Sequence, residues 1–550
     1  MTTIRVRSYD EIVVRLSFLG LVALSSFACA VGAADLSADV MDAFAECATG
    51  GEVGQRAGDV VYHLNPLIPQ RRWPGVLGFN PSFAAGDGRG DFQGSAFSRL
   101  VGMFSPQALR YPPGTYATFY DWDSMVIDEQ LAKRHANKAM LASIRHQRKR
   151  ADGRLIASDY RSFLAMARAR SQNPFIVLNL MTADATHARS AISKVKRQFD
   201  GTIFWELGNE VANSEYQRLR LPAPWSVETY VERVAAISRY IKDGYPGDRI
   251  GAVGADLLVE RGHVRAPAAV ERMSKRWAER MSNAAEFYDA VIFHPYINLV
   301  DDVINVGLLH SRSVAACSGL SRDVLRAVVQ YRWIFSAAQE APARYSVYSD
   351  IYHPGKDLWL TEIGLFGDKA KAPLDLSAYG VPRLLFNVAY FAHWVDRVPG
   401  VRAYMFHVLD YGKGEFAALN PDGSLNANSV SYLLLRYMLD HPDGLSVQAF
   451  GQDRRLEGVG PYQGSAISQI VALMSNGGRD GRALVVNLSP FQGRLAAPYP
   501  VVRIRTLGGA PSARIPPGRI RALDDIPAVM TEERVLVLPP LSISLIEQVS

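Results

Sequence analysis

Two glutamates in this chain close apolar, strand-like runs. One run reads Ile203-Phe204-Trp205-Glu206-Leu207-Gly208-Asn209-Glu210 and the other Leu358-Trp359-Leu360-Thr361-Glu362. Glu210 and Glu362 each stand where the strand should finish. Paired carboxylates on facing strands suit the cleavage of a glycosidic bond. One stays protonated to give its proton to the leaving oxygen, and the other is ionised and attacks carbon or activates water. That chemistry calls for no cofactor and no metal. Glu206 lies four residues before Glu210, inside the run, and reads as a buried structural partner. His294 and His407 bring no third ligand at short spacing, so a zinc site is not expected. No Gly-x-Ser-x-Gly elbow is present, and Cys317 has no histidine near it in sequence, which sets aside a serine or cysteine hydrolase.

The elements needed to carry two such carboxylates are strands of one parallel sheet. Eight short apolar runs alternate with amphipathic stretches: 76–79, 108–111, 175–180, 203–207, 250–253, 290–293, 358–360 and 403–408. Eight βα units predict an α/β fold, a closed (β/α)8 TIM barrel over 76–440, with its site at the C-terminal ends of the strands. Ser226 is placed to cap a helix whose buried stripe is Val227, Tyr230, Val231, Val234 and Ile241. Val270, Met273, Trp277, Met281 and Ala284 form a second stripe, read as a face packed on the sheet. After about Asp443 short β-like runs are split by Gly, Pro and Asn, which predicts a C-terminal β-sandwich over 441–550. Residues 35–75 form a lead-in whose run Asp59–Leu64 is placed to add a strand to that sandwich. The Gly-rich tract Gly86–Gly94 lacks the spacing of a phosphate loop and reads as a loop.

Of 550 residues, 48% are hydrophobic and 21% charged, enough to build large cores. The formal charge of +6 is mild for this length and comes without dense basic blocks, so no nucleic-acid partner is expected. Arg5, Arg7 and Arg15 precede the apolar run Leu16–Ala34, which ends in small residues. This is the layout of a secretory signal peptide over 1–34, and an uncleaved membrane anchor is the alternative. An exported chain, secreted or periplasmic, without stable membrane insertion after cleavage, is expected. A lipoprotein reading at Cys29 lacks the leucine that should open its motif. Cys47 and Cys317 would then remain, either paired or as two buried thiols.

Trp-Glu-Leu-Gly-Asn-Glu followed some 150 residues later by Trp-Leu-Thr-Glu-Ile-Gly resembles the clan A retaining glycoside hydrolases. The resemblance implies Glu210 as acid/base, Asn209 as the contact to a sugar 2-hydroxyl and Glu362 as nucleophile. Arg110-Tyr111-Pro112-Pro113-Gly114-Thr115 is similar to the segment ending the second strand in heparanases and β-glucuronidases and in arabinofuranosidases; the pattern is closest to the heparanase/β-glucuronidase family (family 79), with families 39 and 51 as relatives. An arginine there can hold the nucleophile ionised. Phe293-His294-Pro295-Tyr296 closes the sixth strand, where such enzymes set a tyrosine against the nucleophile. Met405-Phe406-His407 stands where the clan often offers a tryptophan platform. The implied substrate-binding set is Asn209, Arg110, Asn80, His294, Tyr296 and His407. Val211 and Pro113 depart from the family pattern without removing a reacting group.

The function these residues imply is a retaining β-glycoside hydrolase working by double displacement on an oligo- or polysaccharide. Lys133, Arg134, Lys138, Arg145, Arg148, Lys149 and Arg150 lie in a long insertion after the second strand. Around the cleft they would favour a uronate-containing glycan; on a solvated helix face they would do nothing of the kind. The alternatives are a neutral β-xylosidase or α-arabinofuranosidase, and a carbohydrate-binding protein on a hydrolase barrel.

Overall fold

The computed structural model describes residues 38–549, apart from 49–59, 66–67, 69–71, 83–91, 137–140, 142–157, 213–224, 256–267, 299–316, 367–373, 412–414, 442–443, 452, 458–464 and 476–480. The leader, most of the Gly-rich tract, and Lys138, Arg145, Arg148, Lys149 and Arg150 lie outside the described residues. Among the described residues no helix is long and apolar enough to cross a membrane.

Eight parallel strands close into a ring: β1 (Val76–Pro81), β2 (Ala108–Tyr111), β3 (Asn173–Leu178), β4 (Phe204–Leu207), β5 (Arg249–Val253), β6 (Ala290–Phe293), β7 (Asp357–Ile363) and β8 (Val401–Tyr411). Each pairs with its sequence neighbour. Closure comes from β8, which pairs with β7 through Leu358↔Val401 and with β1 through Ala403↔Val76. Helices cover the outside. Val227–Gly244 starts where Ser226 accepts a hydrogen bond from the Thr229 N–H, and Trp277 and Met281 of Ala268–Ser282 are buried.

Alternation along the strands fills the ring in layers. Ala108, Phe175, Ile292, Trp359, Ala403 and Met405 form an apolar plug with Phe204 packed against it. Trp359 takes so much of this space that a Cβ on Gly251 would stand 2.5 Å from its ring. Two residues further along the same strands, the inward positions become Asn80, Arg110, Glu206, His294, Thr361 and His407. The period of two that builds the plug therefore delivers a polar layer directly above it.

The C-terminal region holds a six-stranded antiparallel sheet, including Ile470–Ser475, Arg482–Asn487, Val502–Gly508 and Ser542–Gln548. A second sheet joins Gly493–Ala496, Val535–Leu538 and, from the lead-in, Val61–Tyr62, paired through Val61↔Arg494. Side chains of both sheets meet in one apolar core with Ile470, Val485, Leu495, Leu536 and Ile546, which makes a sandwich. Val535–Leu538 and Ser542–Gln548 are separate strands in different sheets, and Pro539 and Pro540 between them supply no N–H to continue a strand. Cys47 and Cys317 are joined in a disulfide, which ties helix Ala38–Ala48 to the segment before the long helix Arg322–Tyr352.

Candidate active site

Arg110, fully buried at the end of β2, organises the polar layer. Its Nε donates to Glu206 Oε2 at 2.8 Å, Nη1 to Asn80 Oδ1 at 3.0 Å and to Glu362 Oε1 at 2.5 Å, and Nη2 to Asn209 Oδ1 at 2.7 Å. A planar fork with donors in fixed directions suits this task better than a lysine would. Asn80 turns its other end inward to the wall, where Nδ2 donates to the Thr361 carbonyl at 2.7 Å. Asn80 and Arg110, expected on the substrate, therefore spend the polar atoms named here on positioning Glu362 and Asn209. Glu206 fits its expected place as a buried partner and also accepts from the Thr361 hydroxyl at 3.3 Å.

Glu362 is held at both oxygens. Beyond the guanidinium on Oε1, the Tyr296 hydroxyl donates to Oε2 at 2.7 Å, while His407 Nδ1 stands 2.9 Å from the same hydroxyl. That hydroxyl spends its one hydrogen on the carboxylate, so His407 carries a hydrogen on Nδ1. Burial works to raise the Glu362 pKa, but the charges of His294, Arg110 and His407 outweigh it and bring it below the ordinary glutamate value. Glu206 shares the same guanidinium, yet there burial wins and the net movement is upward. One arginine thus stands between two carboxyls whose surroundings push them in opposite directions.

Glu210 does not close its strand as the sequence suggests. β4 ends at Leu207, and Glu210 sits three residues on, in a turn where Gly208 has φ 101° and Glu210 itself φ 48°. A Cβ at Gly208 would come within 2.8 Å of Val211, so the reversal needs glycine there. Glu210 adopts the left-handed region without that freedom, the kind of backbone cost found where a side chain must be aimed. Its carboxylate lies 3.3 Å from His294 Nδ1. One donor atom each of Glu210, His294 and Glu362 lies within 4.8 Å of the others. A cation would fit that spacing, but the Arg110 guanidinium already brings positive charge to Glu362. The cluster fits protons better than a metal.

The sequence reading missed an aromatic wall. Phe366 and Phe416 pack on Tyr296, with ring centroids 5.0 and 5.9 Å away, and Phe416 also packs on His407 at 4.9 Å. Phe366 is 41% exposed, an unusual state for a phenylalanine beside a polar site. Its signal was available in Gly364-Leu365-Phe366 directly after β7; Phe416 stands in a loop with no pattern to mark it.

Fold and site together define a (β/α)8 barrel with a C-terminal β-sandwich and a carboxylate pair at the barrel mouth. Solved structures of that architecture align over most of the chain. A family 51 α-L-arabinofuranosidase from Bifidobacterium longum matches with TM-score 0.58 and 12% identity over 89% of this chain and 99% of that one. The thermostable α-L-arabinofuranosidase from Thermotoga petrophila gives 0.54 and 14% over 87% and 97%. A 4-O-α-L-rhamnosyl-β-D-glucuronidase from Fusarium oxysporum gives 0.54 and 11% over 88% and 99%. At these identities the likeness is one of fold. No protein-family model and no curated protein matches the sequence.

Proposed function

We propose that this protein is a retaining glycoside hydrolase acting on an oligo- or polysaccharide, with Glu362 as nucleophile and Glu210 as acid/base. One observation carries the reading: an oxygen of Glu210 and one of Glu362 lie within 4.8 Å, and the charges of His294 and Arg110 beside Glu362 favour its ionised form. Retaining pairs stand ~5 to 5.5 Å apart, whereas an inverting pair needs ~6.5 to 9.5 Å to admit water between acid and base. Glu362 attacks the anomeric carbon while Glu210 protonates the leaving oxygen. Water, deprotonated by Glu210, then releases the sugar. In this reading Asn209, whose Oδ1 accepts from Arg110, takes a sugar hydroxyl. The chain is proposed to be exported, on the strength of its leader-like N-terminus.

For the sugar, a neutral pentoside is the reading we favour over a uronate. Lys133 and Arg134, the described members of the basic insertion, sit on the short helix Glu129–His135, where Lys133 is exposed and pairs with Glu129 at 3.6 Å. Arg110, the guanidinium at the carboxylates, already serves two of them. Two of the aligned barrels are α-L-arabinofuranosidases by name. A panel of aryl α-L-arabinofuranoside, β-xyloside, β-glucoside and β-glucuronide tests both points. Turnover of a pentoside, with a 2-fluoro glycoside trap labelling Glu362, is expected. A trap carried by another residue contradicts the nucleophile, and turnover of the glucuronide alone contradicts the sugar.

A further inference from the structure

His294 is a buried titratable group that the double displacement above leaves without a task. It enters the polar layer just after β6 and is 3% exposed. Its Nε2 stands 3.1 Å from Thr361 Oγ1, and the Thr361 hydroxyl donates to Glu206 Oε2. A hydroxyl has one hydrogen, so the bond between His294 and Thr361 runs from Nε2–H to Oγ1. That settles the tautomer: in a neutral His294, Nδ1 bears a lone pair.

Nδ1 faces Glu210 Oε1 at 3.3 Å and Glu362 Oε2 at 3.7 Å, with no hydrogen bond of good geometry to either. A lone pair set against two carboxylate oxygens is repulsive, so a hydrogen belongs on one side of that gap. Of the two, Glu210 Oε1 is the nearer to Nδ1. We infer that His294 and Glu210 share a single proton between Nδ1 and Oε1, which makes His294 the positioning residue that keeps Glu210 charged with the proton it gives to the leaving group. This rests on the reading of Glu210 as acid/base.

The charged surroundings agree. Burial pulls the imidazole pKa down and Arg110 opposes its charge, but Glu362 and Glu210 outweigh both, and the net movement is up. Glu206 from β4 and His407 from β8 also feel its charge. The pair titrates as a unit, so the proton belongs to both members. In the first half-reaction the Glu210 O–H bond breaks, its proton passes to the glycosidic oxygen, the electron pair of the C–O bond leaves with that oxygen, and Glu362 bonds to the anomeric carbon. In the second, water gives one proton to Glu210 while its oxygen takes the carbon and the bond to Glu362 breaks. One proton leaves and one returns. Between the two steps the Nδ1 lone pair against ionised Glu210 favours that return.

The test needs no substrate at its first stage. Histidine ring signals of the full chain are titrated by NMR, with His294→Asn used to assign the His294 signal. In Glu210→Gln the His294 midpoint is expected to fall by about one pH unit or more, because its proton-sharing charge is gone; an unmoved midpoint overturns the inference. The second stage compares two aryl glycosides, of good and poor leaving group, in His294→Asn. The expected result is at least a ~10-fold fall in kcat for the poor leaving group, a basic limb moved to lower pH, and less than ~3-fold change for the good one. Equal loss on both means a structural role and overturns it as well. Should Glu210→Ala show no dependence on leaving group, the acid/base reading fails, while the NMR result stands or falls alone.

Discussion

Two layers of the barrel interior differ only in height. The plug residues Ala108, Ile292 and Trp359 and the polar residues Arg110, His294 and Thr361, each two positions further on, come from the same strands, share the same inward direction and are similarly buried. The lower layer is held by shape, so its residues answer to volume. The upper is held by charge and directed hydrogen bonds, so its residues answer to balance: remove one partner and the others are left buried and unpaired. Similar burial at both heights shows that burial by itself does not distinguish a core from a site.

Substitutions at the two heights should therefore fail differently. The largest effect belongs to Glu362→Ala, which removes the proposed nucleophile and should lower turnover by roughly 10⁴-fold or more on good and poor leaving groups alike; thermal unfolding checks that the fold survives. Arg110→Met and Trp359→Ala should each cost about 3–5 kcal/mol in denaturant unfolding, one by stranding carboxyls and the other by opening a cavity. Their pH profiles should separate them. Without Arg110, burial raises the Glu362 carboxyl, so ionisation of the nucleophile is complete only at higher pH and the acidic limb of kcat/KM moves up; Trp359→Ala should leave that limb in place. If both shift it, charge balance is not what distinguishes the layers. Tyr296→Phe takes the hydroxyl from both Glu362 Oε2 and His407 Nδ1 and should cost about 1.5–3 kcal/mol in denaturant unfolding. Met405→Leu, conserving volume in the plug, should cost less than about 1.5 kcal/mol and leave kinetics unchanged.

Much of this was legible in the residues. Eight strand runs fell within a few residues of the observed ones because each is a short apolar stretch between helical patterns, and the strand-end rule drew attention to Glu362, Arg110 and His294. What escaped depends on contacts between distant segments. The duties of Asn80 and Arg110 toward Glu362 become visible only when β1, β2 and β7 face one barrel interior. The place of Glu210 beyond its strand depends on two left-handed residues, of which only Gly208 carries a sequence cue. The pairing of Cys47 with Cys317 links residues 270 apart in sequence. Phe416 has no periodicity to announce it.

Proton NMR of the sugar product during the first minutes of hydrolysis, before mutarotation, tests the Glu210–Glu362 pair most directly. In the proposed double displacement attack comes first from Glu362 and then from water on the opposite course. The expected first-formed product has the same anomeric configuration as the substrate. An inverted anomer appearing first would contradict the double displacement and, with it, the role given to Glu362.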